Sequence, residues 1–205
     1  MPLVLPRPKL SSGKSFAQAL RLRKTVREIS GKRVSAQVLS NLLFAACGVN
    51  RPRGPFGARG LTAASASNSQ EVLVFVLLEE GAYRFAPAAH RLELIVRRDL
   101  RHLAFGPRQP TSSPDAPVQL VYVADLDKLE HTQGFEEPGL HDPEVQRSYY
   151  FVDTGIIAAH VYLFAASAGL ACWFHNCDRV KLTKTLALRG DERVLFAQTI
   201  GYAAP

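Results

Sequence analysis

A dense cluster of cations with one hydroxyl stands at Arg23-Lys24-Thr25-Val26-Arg27. Guanidinium groups match the geometry of phosphate oxygens, an ammonium adds a point charge, and a hydroxyl completes the set of donors. Arg23 and Arg27 are four residues apart, so on a helix they would share a face. This segment, called the 23–27 segment below, predicts a phosphate site. The alternative is a solvated basic end of a helix, where cations complement the helix dipole.

A second candidate site lies at residues 59–70, directly before a predicted strand. Its small residues would let a ligand approach the backbone, and Ser65, Ser67 and Asn68 offer hydrogen bonds. Alone, this composition is a weak signal and identifies no ligand.

A third cluster brings Cys172, Cys177 and His175 close together in sequence, with His160 upstream. The C-x4-C spacing is not a standard zinc pattern, and on a strand Cys172 and His175 would point to opposite faces. The chain has no C-x-x-C motif for thiol redox chemistry. We therefore expect buried thiols and no metal site.

The positive charge of the chain is uneven. The 205 residues include 25 Lys and Arg against 18 Asp and Glu, a net charge of +7, and residues 1–59 hold 12 basic residues and one acid, Glu28. Such an excess fits nucleic acid, a membrane surface or one anionic ligand. Residues 17–55 contain a single aromatic residue, Phe44, and no recognised nucleic-acid module, so we expect no nucleic-acid partner.

The chain shows no sign of secretion or of a membrane span. Its three cysteines are an odd number, which argues against a disulfide framework, and no hydrophobic leader follows residues 1–10. The apolar stretch at residues 155–174 contains His160 and several small residues, which favours a buried helix and a strand. We expect a cytoplasmic protein without a membrane partner.

Hydrophobic periodicity predicts one α+β domain at residues 15–205 after an N-terminal arm at residues 1–14. The predicted helices are 15–26, 35–48, 92–103, 144–168 and 178–188. The predicted strands are 71–78, 82–85, 118–124, 171–174 and 193–202. Residues 127–143 are predicted as a lid-like loop, with loops also at 50–60 and 105–117. A doubly wound sheet is disfavoured because no regular βαβ period and no G-x-G-x-x-G motif is present.

An ordered set of motifs from Arg21 to Tyr202 resembles the nitroreductase-like flavoprotein family, in particular its compact members near the azoline dehydrogenases. The 23–27 segment resembles the family's opening Arg-x-Ser/Thr-x-Arg/Lys pattern, and residues 62–70 resemble its small-residue loop. Further similarities lie at residues 42–51, 80–85, 155–170 and 200–202.

The resemblance implies a mixed, mainly antiparallel sheet flanked by helices, in an intertwined homodimer with FMN at the interface. The residues implied to hold the phosphate and ribityl chain are Arg23, Lys24, Thr25 and Arg27. Those implied to contact the flavin are Ser65, Ser67, Asn68, His175 and Asn176. The backbone N–H of Asn176 is the implied donor to flavin N5.

Three positions depart from the family pattern. Ala64 stands where the family usually has Pro, and Asn176 stands where Gly is usual. The basic phosphate clamp that follows the last strand in many members is missing after Tyr202, and Arg51 or Arg53 are candidate replacements.

The implied activity is an FMN-dependent oxidoreductase that passes hydride from NADH or NADPH to a small organic acceptor by a ping-pong mechanism. Two alternatives remain: a substrate-specific FMN dehydrogenase of the azoline-oxidising type, and a flavin-binding module without turnover. No acid–base residue is required. Tyr149, Tyr150 and His175 are candidate proton donors, and packing is the alternative role for each.

Overall fold

The computed structural model describes residues 2–106, 113, 115–134 and 140–205. Its centre is a seven-stranded sheet in the order β1-β6-β5-β4-β7-β9-β8, beside a small two-stranded sheet, β2-β3. The strands are β1 Leu3–Val4, β2 Val49–Arg51, β3 Gly60–Leu61, β4 Val72–Leu78, β5 Gly81–Ala86, β6 Arg91–Val96, β7 Val118–Asp125, β8 Ala171–His175 and β9 Glu192–Gly201. All pairings between named strands are antiparallel. The α+β class with an antiparallel sheet is thus confirmed.

Five helices accompany the sheet. They are α1 Phe16–Leu22, α2 Ala36–Cys47, α3 Leu126–Glu130, α4 Pro143–Ala168 and α5 Arg179–Thr185. Ser15 and Ser35 cap α1 and α2 as predicted, since each hydroxyl accepts a hydrogen bond from a backbone N–H in the first turn. Gly169 ends α4 in the left-handed conformation, at φ 71°, as the sequence predicts.

The two faces of the sheet bury two different layers. Even-numbered residues of β4 and β7, such as Val76 and Tyr122, pack under α2 and α4. Odd-numbered residues, such as Phe75 and Val121, pack with Leu182 of α5 and with the short 3-10 helix Arg101–Ala104. This alternation is what strands buried on both faces require.

The long helix α4 has the length and composition of a membrane span, with a mean hydropathy of 1.4 over its most apolar stretch. It packs against α1, α2 and the sheet as a core helix does. However, only 33% of that stretch is buried within the chain, so much apolar surface is left uncovered.

Several boundaries differ from the sequence-based expectations. Residues 92–103 were expected to be helical, but they form β6 and a 3-10 helix, because β6 is held between β5 and β1. The N-terminal arm supplies β1 rather than standing apart from the sheet. The expected lid at residues 127–143 begins with α3 and ends in the Asp142 cap of α4, and its residues 135–139 lie outside the described part. Helix α5 ends at Thr185 rather than at residue 188.

Candidate active site

The 23–27 segment is extended rather than helical. Helix α1 ends at Leu22, and Arg23 caps it with a backbone bond to Ala19. The chain then follows the outer edge of β8, where Val26 N–H donates to Cys172 O at 3.0 Å. The expectation that Arg23 and Arg27 share a helical face is therefore wrong, because bonding to the sheet edge replaces the last turn of the helix.

Tyr162 of α4 joins this segment to β8. Its hydroxyl accepts a hydrogen bond from Phe174 N–H at 2.9 Å and lies 3.2 Å from Thr25 Oγ1. The Arg23 guanidinium lies over the Tyr162 ring, 5.5 Å from its centroid. Sequence reasoning missed Tyr162, although it is the only tyrosine in the apolar C-terminal half of α4.

Two cations of the segment, Arg23 and Lys24, are available to an anion. Arg23 and Lys24 are exposed, and neither forms an ion pair with an acid among the described residues. Lys24, Lys14 and Tyr162 all line one groove of about 190 Å³. Uncompensated cations around a groove attract an anionic group.

Arg51 and Arg53, the candidate clamp residues, lie on or directly after β2. Arg51 is on β2, with its guanidinium against Gly60 in the two-stranded sheet. Arg53 lies in the exposed turn that follows β2. Both belong to the part of the chain that leads to residues 65–70, so neither is next to the 23–27 segment in sequence or in the sheet.

Residues 65–70, called the 65–70 loop below, are tightly bonded internally. Gln70 N–H donates to Ser65 Oγ at 3.0 Å, and Asn68 N–H donates to Ser65 O at 3.0 Å. The Asn68 amide donates to Pro55 O at 3.3 Å and accepts from Gln70 Nε2 at 3.0 Å. Asn68 thus holds the loop, and its contact with a flavin stays a prediction.

The backbone of this loop is strained at three residues. Ser67, Asn68 and Gln70 have φ values of 46°, 58° and 53°, in the left-handed region that non-glycine residues rarely adopt. Such conformations persist only where surrounding bonds hold them, and they concentrate at functional sites. The conformation of the loop therefore depends on the hydrogen bonds that hold it to the rest of the chain.

Two buried carboxyl groups, which sequence reasoning also missed, anchor the loop. Asp153 of α4 accepts a hydrogen bond from Ala66 N–H at 3.0 Å, and Glu71 accepts one from Ser69 Oγ at 2.6 Å. Both side chains are buried. Burial raises the pKa of Glu71 to about 7 and also raises the pKa of Asp153.

The two predicted halves of the site contact opposite sides of α4. The 65–70 loop is bonded to Asp153, and the 23–27 segment is bonded to Tyr162. These positions are nine residues apart, which on an α-helix is two and a half turns and a rise of about 14 Å. A single chain therefore does not bring the two halves to one side of the helix.

The His175 side chain is buried in the opposite layer of the sheet. Its Nδ1 lies 2.8 Å from Asn176 O and its Nε2 lies 2.7 Å from Thr199 Oγ1. The ring stacks on Phe105 with a centroid distance of 5.0 Å, and burial lowers its pKa. With both nitrogens engaged, the imidazole has no free position from which to donate a proton to a ligand.

Asn176 is exposed directly after β8, where its Oδ1 accepts a hydrogen bond from Arg179 at 3.3 Å. Tyr150 is half-buried and packs on Phe151, with ring centroids 4.8 Å apart. This contact fits the packing role for Tyr150, and Tyr149 is also half-buried at the same end of α4.

The cysteine cluster separates across the sheet. Cys172 lies on the α4 face and His175 on the other, as the strand alternation predicts. Burial raises the pKa of the Cys172 thiol to about 12 and that of Cys177 to about 11, so both are neutral near pH 7. Neutral thiols on different faces do not form a joint set of ligands.

The model of the nitroreductase family matches residues 20–202, nearly the whole chain. The chain belongs to the nitroreductase family. A Methanocaldococcus jannaschii protein described as a nitroreductase is 29% identical over 153 residues, which are 72% of this chain and 71% of that protein. The crystal structure of a Ralstonia eutropha protein described as a nitroreductase covers 100% of this chain and 90% of its own, at 34% identity and a TM-score of 0.84.

A more distant likeness shows the fold alone. A chain of the E. coli microcin synthetase complex with truncated pro-MccB17 bound is 18% identical, with a TM-score of 0.69. The match covers 98% of this chain and 78% of that one. The sequence-based recognition of the family is thus confirmed, and the protein is a nitroreductase-family oxidoreductase.

The residues of this nitroreductase-family protein fit the flavin that is typical of the family. The exposed cations Arg23 and Lys24 suit a phosphate, and Thr25 adds a hydroxyl. Ala64 and Ala66 leave the backbone of the 65–70 loop open to a flat ring, because Ala64 is exposed and Ala66 half-buried.

Proposed function

We propose that this oxidoreductase binds FMN and passes hydride from NADH or NADPH to a small organic acceptor. The observation that carries the proposal is the exposed 23–27 segment, whose Arg23 and Lys24 are held beside β8 without an acidic partner in the described chain. Like charges held close together repel one another, and an anion that binds between them relieves this repulsion.

We place each FMN between two copies of the chain. The two halves of the site lie on opposite sides of α4 in one protomer, so a second protomer is needed to bring a 65–70 loop to a 23–27 segment. A twofold dimer exchanges the same surfaces in both directions and would make two equal sites.

An uncovered apolar surface supports this homodimer. On α1, Phe16, Leu20 and Leu22 are 68%, 53% and 49% exposed. On α4, Val152 is 60% exposed, and the small residues Gly155 and Ala159 are exposed along the same stripe of the helix. Exposed apolar surface of this kind is typical of an interface, and small residues let helices approach closely.

Bound flavin supplies the hydride chemistry, and the chain supplies binding and orientation. Arg23, Lys24 and Arg27 would hold the phosphate, while Tyr162 fixes Thr25 relative to β8. The Asn176 backbone N–H, at the exposed end of β8, remains our proposed donor to the flavin ring. A backbone donor in a fixed place stabilises charge that develops during reduction.

The test is uptake of FMN followed by reduction. Purified protein mixed with FMN and passed through a desalting column should retain the yellow absorbance of oxidised flavin. Anaerobic NADH or NADPH should then bleach it. A colourless protein after desalting would contradict FMN binding.

Bleaching by NADH or NADPH also distinguishes the proposed activity from the two alternative functions. A protein that keeps FMN but is bleached by neither nicotinamide cofactor fits the flavin-binding module or the azoline-type dehydrogenase. The likeness to the microcin synthetase chain does not favour the latter, because at 18% identity it shows the fold alone.

A further inference from the structure

Glu71 is the most unusual buried group in the described chain. Its side chain is fully buried, and its Oε1 accepts no hydrogen bond from any described residue. An isolated buried carboxylate oxygen is costly, so a group of this kind is either protonated or paired. Its other oxygen, Oε2, already accepts from Ser69.

Asp153 is the group that Glu71 faces. Both carboxyl groups line one small cavity of about 10 Å³, together with Cys47, Ala63 and Ile157. This volume is about that of one water molecule, so the two carboxyl groups share one small buried site. Burial is the first cause of the raised pKa of Glu71, and the negative charge of Asp153 raises it further. Two carboxyl groups that line one buried cavity are costly to ionise together, and a single proton shared between them removes one of the two charges.

We propose that Glu71 and Asp153 share one proton, and that this proton keeps the 65–70 loop in the shape that binds flavin. Asp153 holds the start of the loop through Ala66 N–H, and Glu71 holds its end through Ser69. Loss of the proton would place two negative charges in one buried site, and the strained loop between them is the element able to move.

Lys128 of α3 is a cation that acts on Glu71. It donates to Gln70 O at 2.8 Å, and burial lowers its pKa, while the charges of Asp125 and, more weakly, Glu71 raise it. Its charge therefore acts more strongly with Asp125 than with Glu71. Arg84 and Arg189 act on Lys128 as like charges. Cys47 of α2 stays neutral, because burial raises its pKa to about 12.

The proposal rests on the proposed flavin function and gives it a pH dependence. The pKa of Glu71 in the folded chain, about 7, lies above its ordinary value, so the shared proton is held below pH 7 and lost above it. If flavin binds only the protonated form of the protein, its binding above pH 7 must be accompanied by the uptake of protons by the protein. Glu71 and Asp153 are positioning residues here, since neither is placed in contact with flavin.

The experiment measures FMN affinity and proton uptake from pH 6 to pH 8.5. For the unmodified protein, the Kd should rise above pH 7 with a limiting slope of about tenfold per pH unit, and binding at pH 7.5 should take up protons from the buffer. Glu71→Gln should abolish this slope, because the amide donates permanently to Asp153 while its carbonyl still accepts from Ser69. Asp153→Asn replaces the other carboxyl group of the pair by an amide and should abolish the slope in the same way.

Glu80→Gln is the matched control, since Glu80 is exposed in the β4–β5 turn and forms no ion pair among the described residues. It should titrate like the unmodified protein. Riboflavin in place of FMN removes the titration of the flavin phosphate. Equal slopes for the unmodified protein and Glu71→Gln, with FMN bound by both, would overturn the proposal.

Hydrogen exchange of residues 65–70 gives an independent readout without flavin. Protection of these amides, corrected for the intrinsic pH dependence of exchange, should fall above pH 7 in the unmodified protein and stay constant in Glu71→Gln. A protein that binds no FMN contradicts the proposed function and the flavin part of this inference. Protection that is the same in both proteins at every pH contradicts the role of the shared proton in the loop.

Discussion

Replacing Arg23 and Arg27 together by alanine should raise the Kd for FMN by about 100-fold or more while leaving the chain folded. Each charge-assisted hydrogen bond contributes roughly 1.5–3 kcal/mol, so the loss of two costs at least about 3 kcal/mol. Both side chains reach outward from the edge of β8, over the rings of Tyr162 and Trp173, and neither is part of the core. Equilibrium titration by flavin fluorescence measures the change, and circular dichroism reports the fold.

Arg97→Ala/Arg98→Ala is the matched control for this variant. It removes the same charge from two exposed arginines in the turn after β6, away from the proposed site. Its Kd should stay within a few-fold of the unmodified protein, since only diffuse electrostatic attraction is lost. An Arg23→Ala/Arg27→Ala protein that retains FMN as tightly as this control would show that the phosphate is bound elsewhere.

Gly155→Arg should convert the protein to a monomer that has lost its FMN. A Cβ added at Gly155 meets no atom within 4 Å in the protomer, so the new side chain is accommodated there. Glycine inside a helix lowers the free energy of unfolding by about 0.5–1 kcal/mol relative to a better helix former. Replacing it by arginine should therefore not destabilise the isolated chain. Across a twofold interface, however, a bulky cation in this stripe would separate the two copies of α4. Light scattering with size-exclusion chromatography measures the mass, and absorbance measures the flavin.

Gly190→Arg provides the comparison, because Gly190 is equally open but lies in the turn before β9. This variant should remain dimeric and yellow. A dimeric, FMN-loaded Gly155→Arg protein would contradict the placement of the interface on α4.

Local patterns in the sequence were sufficient for the helix caps and the central strands. Ser15 and Ser35 are each followed by helical periodicity, which predicts the two caps. Residues 71–78 and 118–124 are short, continuous apolar runs of β-type residues, a pattern typical of buried strands. The ordered motifs identified the family for the same reason, because each is a local stretch of chain.

The sequence was less informative where distant contacts decide the structure. Residues 92–96 satisfy both helical and strand patterns, and pairing with β5 and β1 selects the strand. The 23–27 segment has the composition of a helix end, yet bonding to Cys172 O makes it extended. His175 has the type and position of a site residue, but its strand places the ring in the buried layer.

The residues that hold the two halves of the site in place could not be predicted from the sequence, again because distant contacts define their roles. Tyr162 and Asp153 lie on one helix at a spacing that carries no motif, and their roles depend on which segment each one contacts. Glu71 at the start of a strand has the pattern of an ordinary polar boundary residue until its burial is known. The separation of two and a half helical turns between the two contacts is the reason for proposing a composite site.

The composite site can be tested most directly by combining two damaged chains. One carries Arg23→Ala/Arg27→Ala, and the other carries Ser65→Ala/Asn68→Ala, which removes the bonds that hold the 65–70 loop. With a different tag on each, the mixed dimer can be isolated from both parents. Because a site between protomers takes one half from each chain, the mixed dimer should contain one undamaged site and bind about one FMN per dimer, while both parents bind none. A mixed dimer as colourless as its parents would contradict the account, since it would place the whole site within a single chain.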